Sequence, residues 1–182
     1  MFATREEMFV HLHAEYLGNG KKALDYLEFG VFQGLSLKQW CAINAHPQSR
    51  FFGFDSFQGL PENWNSAPSG TYTSHGKLPD IHDPRVEFVV GWFQNTLPGF
   101  LAKYQAKSQL LIHNDSDLYT STLFTLTSLN AWITPGTIIL FDEFYDAVHE
   151  YRALVEWAAA YMRKYEVLAA TSGFTQAAVR VL

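Results

Sequence analysis

The acidic residues of this chain form an ordered series, and most of them close an apolar run. Glu28 comes at the end of "ALDYLEF", Asp55 ends "RFFGFD", Asp115 and Asp117 follow "LLIHN", and Asp142 and Glu143 end "GTIILFDE". Carboxylates gathered at one rim can accept hydrogen bonds from hydroxyls, hold a hard cation, or balance a positive charge on a ligand. Glu28 opens "EFGVFQG", in which Gly30 and Gly34 stand four residues apart. Gly30 allows positive φ or close approach of the backbone to a ligand, and Gly34 allows the next helix to start close to its strand. Asp55 lies 27 residues beyond Glu28, where acids of nucleotide-binding folds accept hydrogen bonds from both ribose hydroxyls. A nicotinamide dinucleotide carries a pyrophosphate and prefers GxGxxG. The spacing here differs, and Glu28 would repel phosphate. S-adenosylmethionine has no phosphate, and its sulfonium and α-ammonium both favour a nearby carboxylate. Any one of these acids has a plain alternative as a helix cap. The set, ExGxxxG followed by Asp, DxD and DE, points to a ligand.

The elements that position these acids follow from periodicity and punctuation. Thr4 and Glu7 form a capping-box signature, which predicts a helix ending near Gly18-Asn19-Gly20, with Met8, Phe9, Leu12 and Tyr16 facing a sheet. Strands are predicted at 23–29, 50–55, 86–90, 108–115, 136–143, 165–171 and 175–182. Helices are predicted over 35–45, 92–104 (irregular at Pro98-Gly99), 119–133 and 147–165. The fold class is therefore α/β: a Rossmann-like, seven-stranded, mostly parallel sheet with helices on both faces and an antiparallel C-terminal hairpin strand turning at Ser172-Gly173-Phe174. Such sheets bind ligands beyond the carboxyl ends of their strands, and no lysine or arginine sits at those tips. Residues 56–85 hold four prolines and no clear period. A connection of that length is commonly functional, and a lid is expected there. Trp64 on that loop either closes over an acceptor or anchors the loop, whereas Trp40, Trp132 and Trp157 lie within helical patterns and belong to the core.

The 182 residues read as one domain, 1–182, with no internal repeat. A net charge of -5 and 48% hydrophobic content argue against a broad nucleic-acid face and against disorder. No apolar run approaches the ~18 residues of a spanning helix. The lone Cys41 and a polar N-terminus lacking a signal-peptide core predict a cytoplasmic protein with no membrane partner. His11 and His13, two apart, do not share a helix face and form no metal pair.

Longer stretches carry a resemblance. "YLEFGVFQGLS", "FFGFDSFQGLPENW", "GWFQNTLP", "IHNDSDLYTST" and "PGTIILFDEF" span roughly 26–145. They resemble class I S-adenosylmethionine-dependent methyltransferases. More narrowly they resemble the macrocin O-methyltransferase family, whose studied members methylate sugar hydroxyls in antibiotic biosynthesis; "FDSFQGLPE" and "GWFQNTLP" are the specific parts. The resemblance implies that Glu28 and Gly30 line the methionine end of the cofactor, with Ser36 at its carboxylate, and Gly34 of the same turn is counted among the cofactor-binding residues. It implies that Asp55 holds the ribose, that Ser56, Phe57, Gly91 and Trp92 border the adenine, and that Asp115 lies closest to the transferred methyl. It further implies a magnesium ion held by Asp115, Asp142 and Glu143. Two departures stand out: 27 residues precede Glu28, fewer than in the antibiotic-pathway members, and Glu143 stands where some members have Asp. The expected activity is magnesium-assisted O-methyl transfer to a hydroxyl of a small molecule, a sugar among the candidates. Asp115 and His113 are the expected catalytic residues, with His75 and Asp117 as other candidates for the base. A non-catalytic cofactor-binding subunit and an NAD-linked oxidoreductase are the competing classes. The acceptor and the oligomeric state, including a homo-oligomer, stay open.

Overall fold

The computed structural model describes all residues, Met1–Leu182. The elements run α1 (Arg5–Glu15), β1 (Leu24–Phe29), α2 (Leu35–Ile43), β2 (Arg50–Asp55), β3 (Val86–Val90), α3 (Phe93–Leu101), β4 (Gln109–Asn114), α4 (Tyr119–Leu129), β5 (Ile138–Phe141), α5 (Glu150–Ala160), β6 (Tyr165–Ala170) and β7 (Ala177–Val181). The sheet order is β3-β2-β1-β4-β5-β7-β6. The first five strands are parallel, and β7 runs antiparallel to both β5 and β6. This is the expected sheet, with β7 inserted between its two antiparallel neighbours. The order reverses between β1 and β4, so the crevice of the switch point opens beyond Phe29 and Asn114.

The two-residue period of the strands builds two cores. On one face Leu24, Tyr26, Phe51 and Leu111 pack under Met8, Phe9 and Leu12 of α1 and Leu37 and Trp40 of α2. On the other, Leu27, Phe29, Phe52, Phe54 and Ile112 pack against α3, α4 and α5 through Leu97, Leu126, Leu129, Leu154 and Trp157. Each such side chain, fully buried, contributes about 1.5–3 kcal/mol. Trp132 is only partly buried against this second core. At the far end of β1 the buried Asp25 accepts from Arg50 Nε at 2.9 Å, from the Tyr104 hydroxyl and from the Lys107 amide. That carboxylate is a structural anchor, away from the strand tips.

The helices are shorter than their apolar patterns. α1 stops at Glu15 and α4 at Leu129, with Leu17 and Ile133 buried in the irregular chain just beyond them, and α5 stops at Ala160, beyond which Tyr161 and Met162 are exposed. The capping box holds: Thr4 Oγ1 accepts from the Glu7 amide at 3.2 Å, and Glu7 Oε2 accepts from the Ala3 amide at 3.0 Å. Thr4→Ala is expected to lower stability by about 1 kcal/mol. A thermal melt reads this as a drop of roughly 2–4 °C.

Residues 56–85 contain no helix or strand, yet they are held. The Leu60 amide donates to Thr71 O, and the Gly70 amide donates to Leu60 O, both at 2.9 Å. A Cβ on Gly59 would lie 2.4 Å from Gly70 O, so this turn requires glycine. The loop reaches the α4 and α5 side through Glu62 to Thr120 and through Asn65 Nδ2 donating to Asp146 at 3.0 Å. No helix is long and apolar enough to cross a membrane.

Candidate active site

The switch-point crevice holds a cavity of about 290 Å³. Its wall takes Gly30 to Gln33 from the β1–α2 turn, Ser36 from α2, and Asp55 and Ser56 from the end of β2. Gly59 to Pro61 and Tyr72 come from the long loop, Trp92 from the end of β3, and Asp115 to Asp117 from the end of β4. Asp142 and Glu143 come from the end of β5, and Arg5 from α1. Every strand tip named from sequence thus converges on one space.

Gly30 is the pivot. Its φ is 93°, and an added Cβ would fall 1.7 Å from the carbonyl oxygen of Asp115. Its amide donates to Phe54 O at 3.0 Å, and the Asp115 amide donates to Phe29 O at 2.9 Å. Three strand ends are therefore locked together around a residue without a side chain. Asp55 closes the next side. Its Oδ2 accepts from the amides of Val31 and Phe32, and its Oδ1 from that of Phe57, at 2.7–2.8 Å. A carboxylate has about four acceptor sites, so one remains for a ligand hydroxyl where two were expected.

Four expected cofactor residues do not line the cavity. Glu28 is buried beneath it, bonded to the Tyr26 hydroxyl, which also lies 2.8 Å from His113 Nδ1. Gly34 packs against Pro79, which a Cβ would meet at 2.8 Å. Phe57 is a core residue against Phe88. Gly91 bonds its amide to Asp55 O and turns the chain so that Trp92, not Gly91, reaches the cavity. His113 is corrected for the same reason as Glu28: at 1% exposure, between Tyr26 and Phe9, its ring cannot meet an acceptor. His75 is exposed on the long loop, outside the cavity wall.

The acids regroup in one respect. Asp115, Asp117 and Glu143 each place one carboxylate oxygen within 4.8 Å of the others. Asp142, expected in this set, instead accepts from Gln176 Nε2 and stands 3.7 Å from Arg5. Asp117 enters because its φ of 63° folds the loop after β4 back on itself, and Glu143 is likewise left-handed at 30°. Desolvation, then the neighbouring acids Asp142, Glu28 and Glu143, hold Asp115 well above the usual carboxylate range. Desolvation, then Asp142 and Asp117, push Glu143 up to about 8; desolvation is also the first cause that lifts Asp117 to about 6. Glu143 Oε2 is buried and has no hydrogen-bond partner. A hard divalent cation suits this donor set: oxygen ligands only, crowded like charges, and one orphaned oxygen.

Sequence reasoning missed two residues. Glu150 is fully buried behind the cluster, with Oε1 accepting from the Ser116 amide at 3.1 Å. The signal was present, since Glu150 shares the helical face of Ala153, Leu154 and Trp157. Arg5, which lies 3.9 Å from Asp115, had no local signal.

A mostly parallel seven-stranded sheet of this order, with a glycine turn at its switch point and an acid-lined crevice, defines a class I methyltransferase fold. Residues 27–144 match a methyltransferase domain family, and the chain belongs to that family. It is 29% identical over 154 residues to the 8-demethyl-8-(2,3-dimethoxy-alpha-L-rhamnosyl)-tetracenomycin-C 4'-O-methyltransferase of Streptomyces olivaceus, covering 70% of this chain and 58% of that protein. It is 36% identical over 80 residues to the demethyldecarbamoylnovobiocin O-methyltransferase of Streptomyces niveus, covering 41% of this chain and 29% of that protein. The chain therefore spans less than two thirds of these curated relatives. Among solved structures, the O-methyltransferase NovP matches with a TM-score of 0.70 at 22% identity, over 97% of this chain and 78% of that one. A calicheamicin methyltransferase matches with a TM-score of 0.71 at 21% identity, over 97% and 80%. At these identities the structural matches speak for the fold.

Proposed function

We propose that the protein transfers a methyl group from S-adenosylmethionine to a hydroxyl of a small molecule, with a sugar as the favoured acceptor class and magnesium as the assisting ion. The observation that carries the reading is the cavity itself: five carboxylates and one guanidinium around a glycine cradle. This wall opposes a pyrophosphate and suits a cationic nucleoside, which disfavours an NAD-linked reaction. The sugar assignment draws on the relatives, one of which acts on a rhamnosyl group by its name.

The cofactor, when bound, supplies an electrophilic methyl on a sulfonium. Gly30 lets the chain lie against it, Ser36 and Asp115 line the methionine side, and Asp55 retains one acceptor site for the ribose. Asp115, Asp117 and Glu143 are the residues to hold magnesium, which lowers the pKa of a hydroxyl beside it. Asp117, in the cavity wall beside Asp115 and Glu143, is the candidate to take the hydroxyl proton, directly or through a water. Loop 56–85 acts as the lid: Leu60, Pro61 and Tyr72 wall the acceptor side, and Tyr72 packs edge-on against Phe32. Orientation of acceptor and methyl in such a closed site is worth roughly 7–11 kcal/mol.

Calorimetry with S-adenosylhomocysteine and with NAD, followed by transfer of labelled methyl to a panel of glycosides and phenols, tests this reading. Micromolar binding of the homocysteine nucleoside and label on a sugar hydroxyl are expected. Binding of NAD alone would remove the cofactor assignment, and binding without transfer to any acceptor would favour a non-catalytic subunit.

A further inference from the structure

Arg5 is the only basic residue in the cavity wall, which also contains Asp55, Asp115, Asp117, Asp142 and Glu143. Its guanidinium nitrogen stands 3.7 Å from Asp142 Oδ2 and 3.9 Å from Asp115 Oδ2. Both distances exceed hydrogen-bond range. The charge is thus drawn to the acids without being spent on a paired hydrogen bond, although the side chain is only 23% exposed.

Its position is fixed from the other side. The neighbouring Glu6 accepts from Gln39 Nε2 at 2.7 Å, which ties the first turn of α1 to α2. Gln39 lies three residues beyond Ser36, one turn along the same helix. Arg5 thus stands in the first turn of a helix tied to α2 through Glu6, with its guanidinium beside Asp115 and Asp142 in the cavity wall.

The ligand proposed for this cavity carries an α-carboxylate as well as an α-ammonium. The ammonium has carboxylates to choose from. The carboxylate would face a wall of five carboxyl groups unless a cation met it, and one guanidinium without a hydrogen-bonded partner is available, with a planar fork matched to a carboxylate. We propose that Arg5 binds the α-carboxylate of S-adenosylmethionine, leaving its loose association with Asp115 and Asp142 when the nucleoside enters. The assignment rests on the cofactor reading above. It gives α1 a role in ligand recognition that the strand-tip motifs do not contain.

The test is a comparison of two ligands on two proteins. S-adenosylhomocysteine and its decarboxylated analogue, which keeps the amine and loses only the carboxylate, are titrated calorimetrically into the full chain and into Arg5→Gln. Wild type is expected to prefer the carboxylate-bearing ligand. Arg5→Gln is expected to weaken S-adenosylhomocysteine about 10- to 100-fold, the range of a charge-assisted hydrogen bond, and to leave the analogue within about 2-fold. Arg5→Lys keeps the charge without the fork, and is expected to fall between. If Arg5→Gln does not fold, the lysine variant carries the comparison, with a loss confined to the carboxylate-bearing ligand supporting the assignment. Equal losses for both ligands, or none for either, would overturn it while leaving the cofactor reading intact. A wild type that binds neither ligand would overturn both.

Discussion

Gly30→Ala is expected to abolish measurable S-adenosylhomocysteine binding and to lower the melting temperature by roughly 10 °C, whereas Gly99→Ala leaves both nearly unchanged. The added carbon at Gly30 would sit 1.7 Å from Asp115 O and 2.6 Å from its carbonyl carbon. Both are backbone atoms, so no rotamer change relieves the clash. The β1 and β4 ends must separate, but the Gly30 amide is bonded to β2 and Phe29 O is bonded to the Asp115 amide. Separation breaks at least one of these bonds and carries Asp115 out of the cavity wall. The φ of 93° adds strain for any residue with a side chain. Together these are worth at least ~3 kcal/mol. A Cβ added at Gly99 would meet nothing within 4 Å, and this glycine lies inside α3, where alanine is the better helix former by roughly 0.5–1 kcal/mol. Thermal melts and calorimetry on the pair decide the matter. If Gly30→Ala bound the nucleoside normally, the cradle would not be part of the site.

How far the site was legible depends on the distance over which its parts act. Strand tips are local: an apolar run, an acid and a glycine predict a β-to-α turn, and Gly30, Asp55, Asp115 and Glu143 were readable for that reason. The direction in which a side chain leaves its tip is not local. Asp142 and Glu143 are adjacent, yet one turns to Gln176 and Arg5 while the other joins Asp115 and Asp117. That choice is made by Gln176, 34 residues away, and by the left-handed backbone at Glu143. Glu28 reads as a cavity acid because it immediately precedes the turn. Strand alternation sends it instead to the face of Tyr26, one period back, where His113 from the neighbouring strand joins it. The sheet was legible for the opposite reason. Its strands alternate so regularly that the two cores follow from parity alone, and the antiparallel end follows from the closely spaced final pair.

Without a divalent cation, stability is expected to fall as pH rises from about 5 to 8, and magnesium is expected to restore it at pH 8 but not at pH 5. Glu143 is pushed up to about 8 from an ordinary 4.5, and Asp117 to about 6 from 3.8. A raised carboxyl pKa means the folded state keeps a proton that the unfolded chain has already released. The folded state then binds more protons than the unfolded one, and stability declines with pH across that interval. For Asp117 the interval is 3.8 to about 6, and for Glu143 it is 4.5 to about 8. Both side chains keep some contact with solvent, so the decline is a few degrees in a melt rather than the full shift. A cation among Asp115, Asp117 and Glu143 reverses the sign, because it requires the ionised forms. At a hundredfold excess over its dissociation constant it adds about 2.7 kcal/mol, or roughly 5–10 °C. Glu143→Gln separates the two effects. The amide mimics the protonated acid, so the variant in EDTA melts above wild type at pH 8, its curve is flatter with pH, and magnesium no longer raises it. Melts of both proteins in EDTA and in magnesium, from pH 5 to 8, provide the measurement. A magnesium response that survives in Glu143→Gln would move the ion away from Glu143, and a melting temperature that climbs with pH in EDTA would contradict the crowding of these carboxylates.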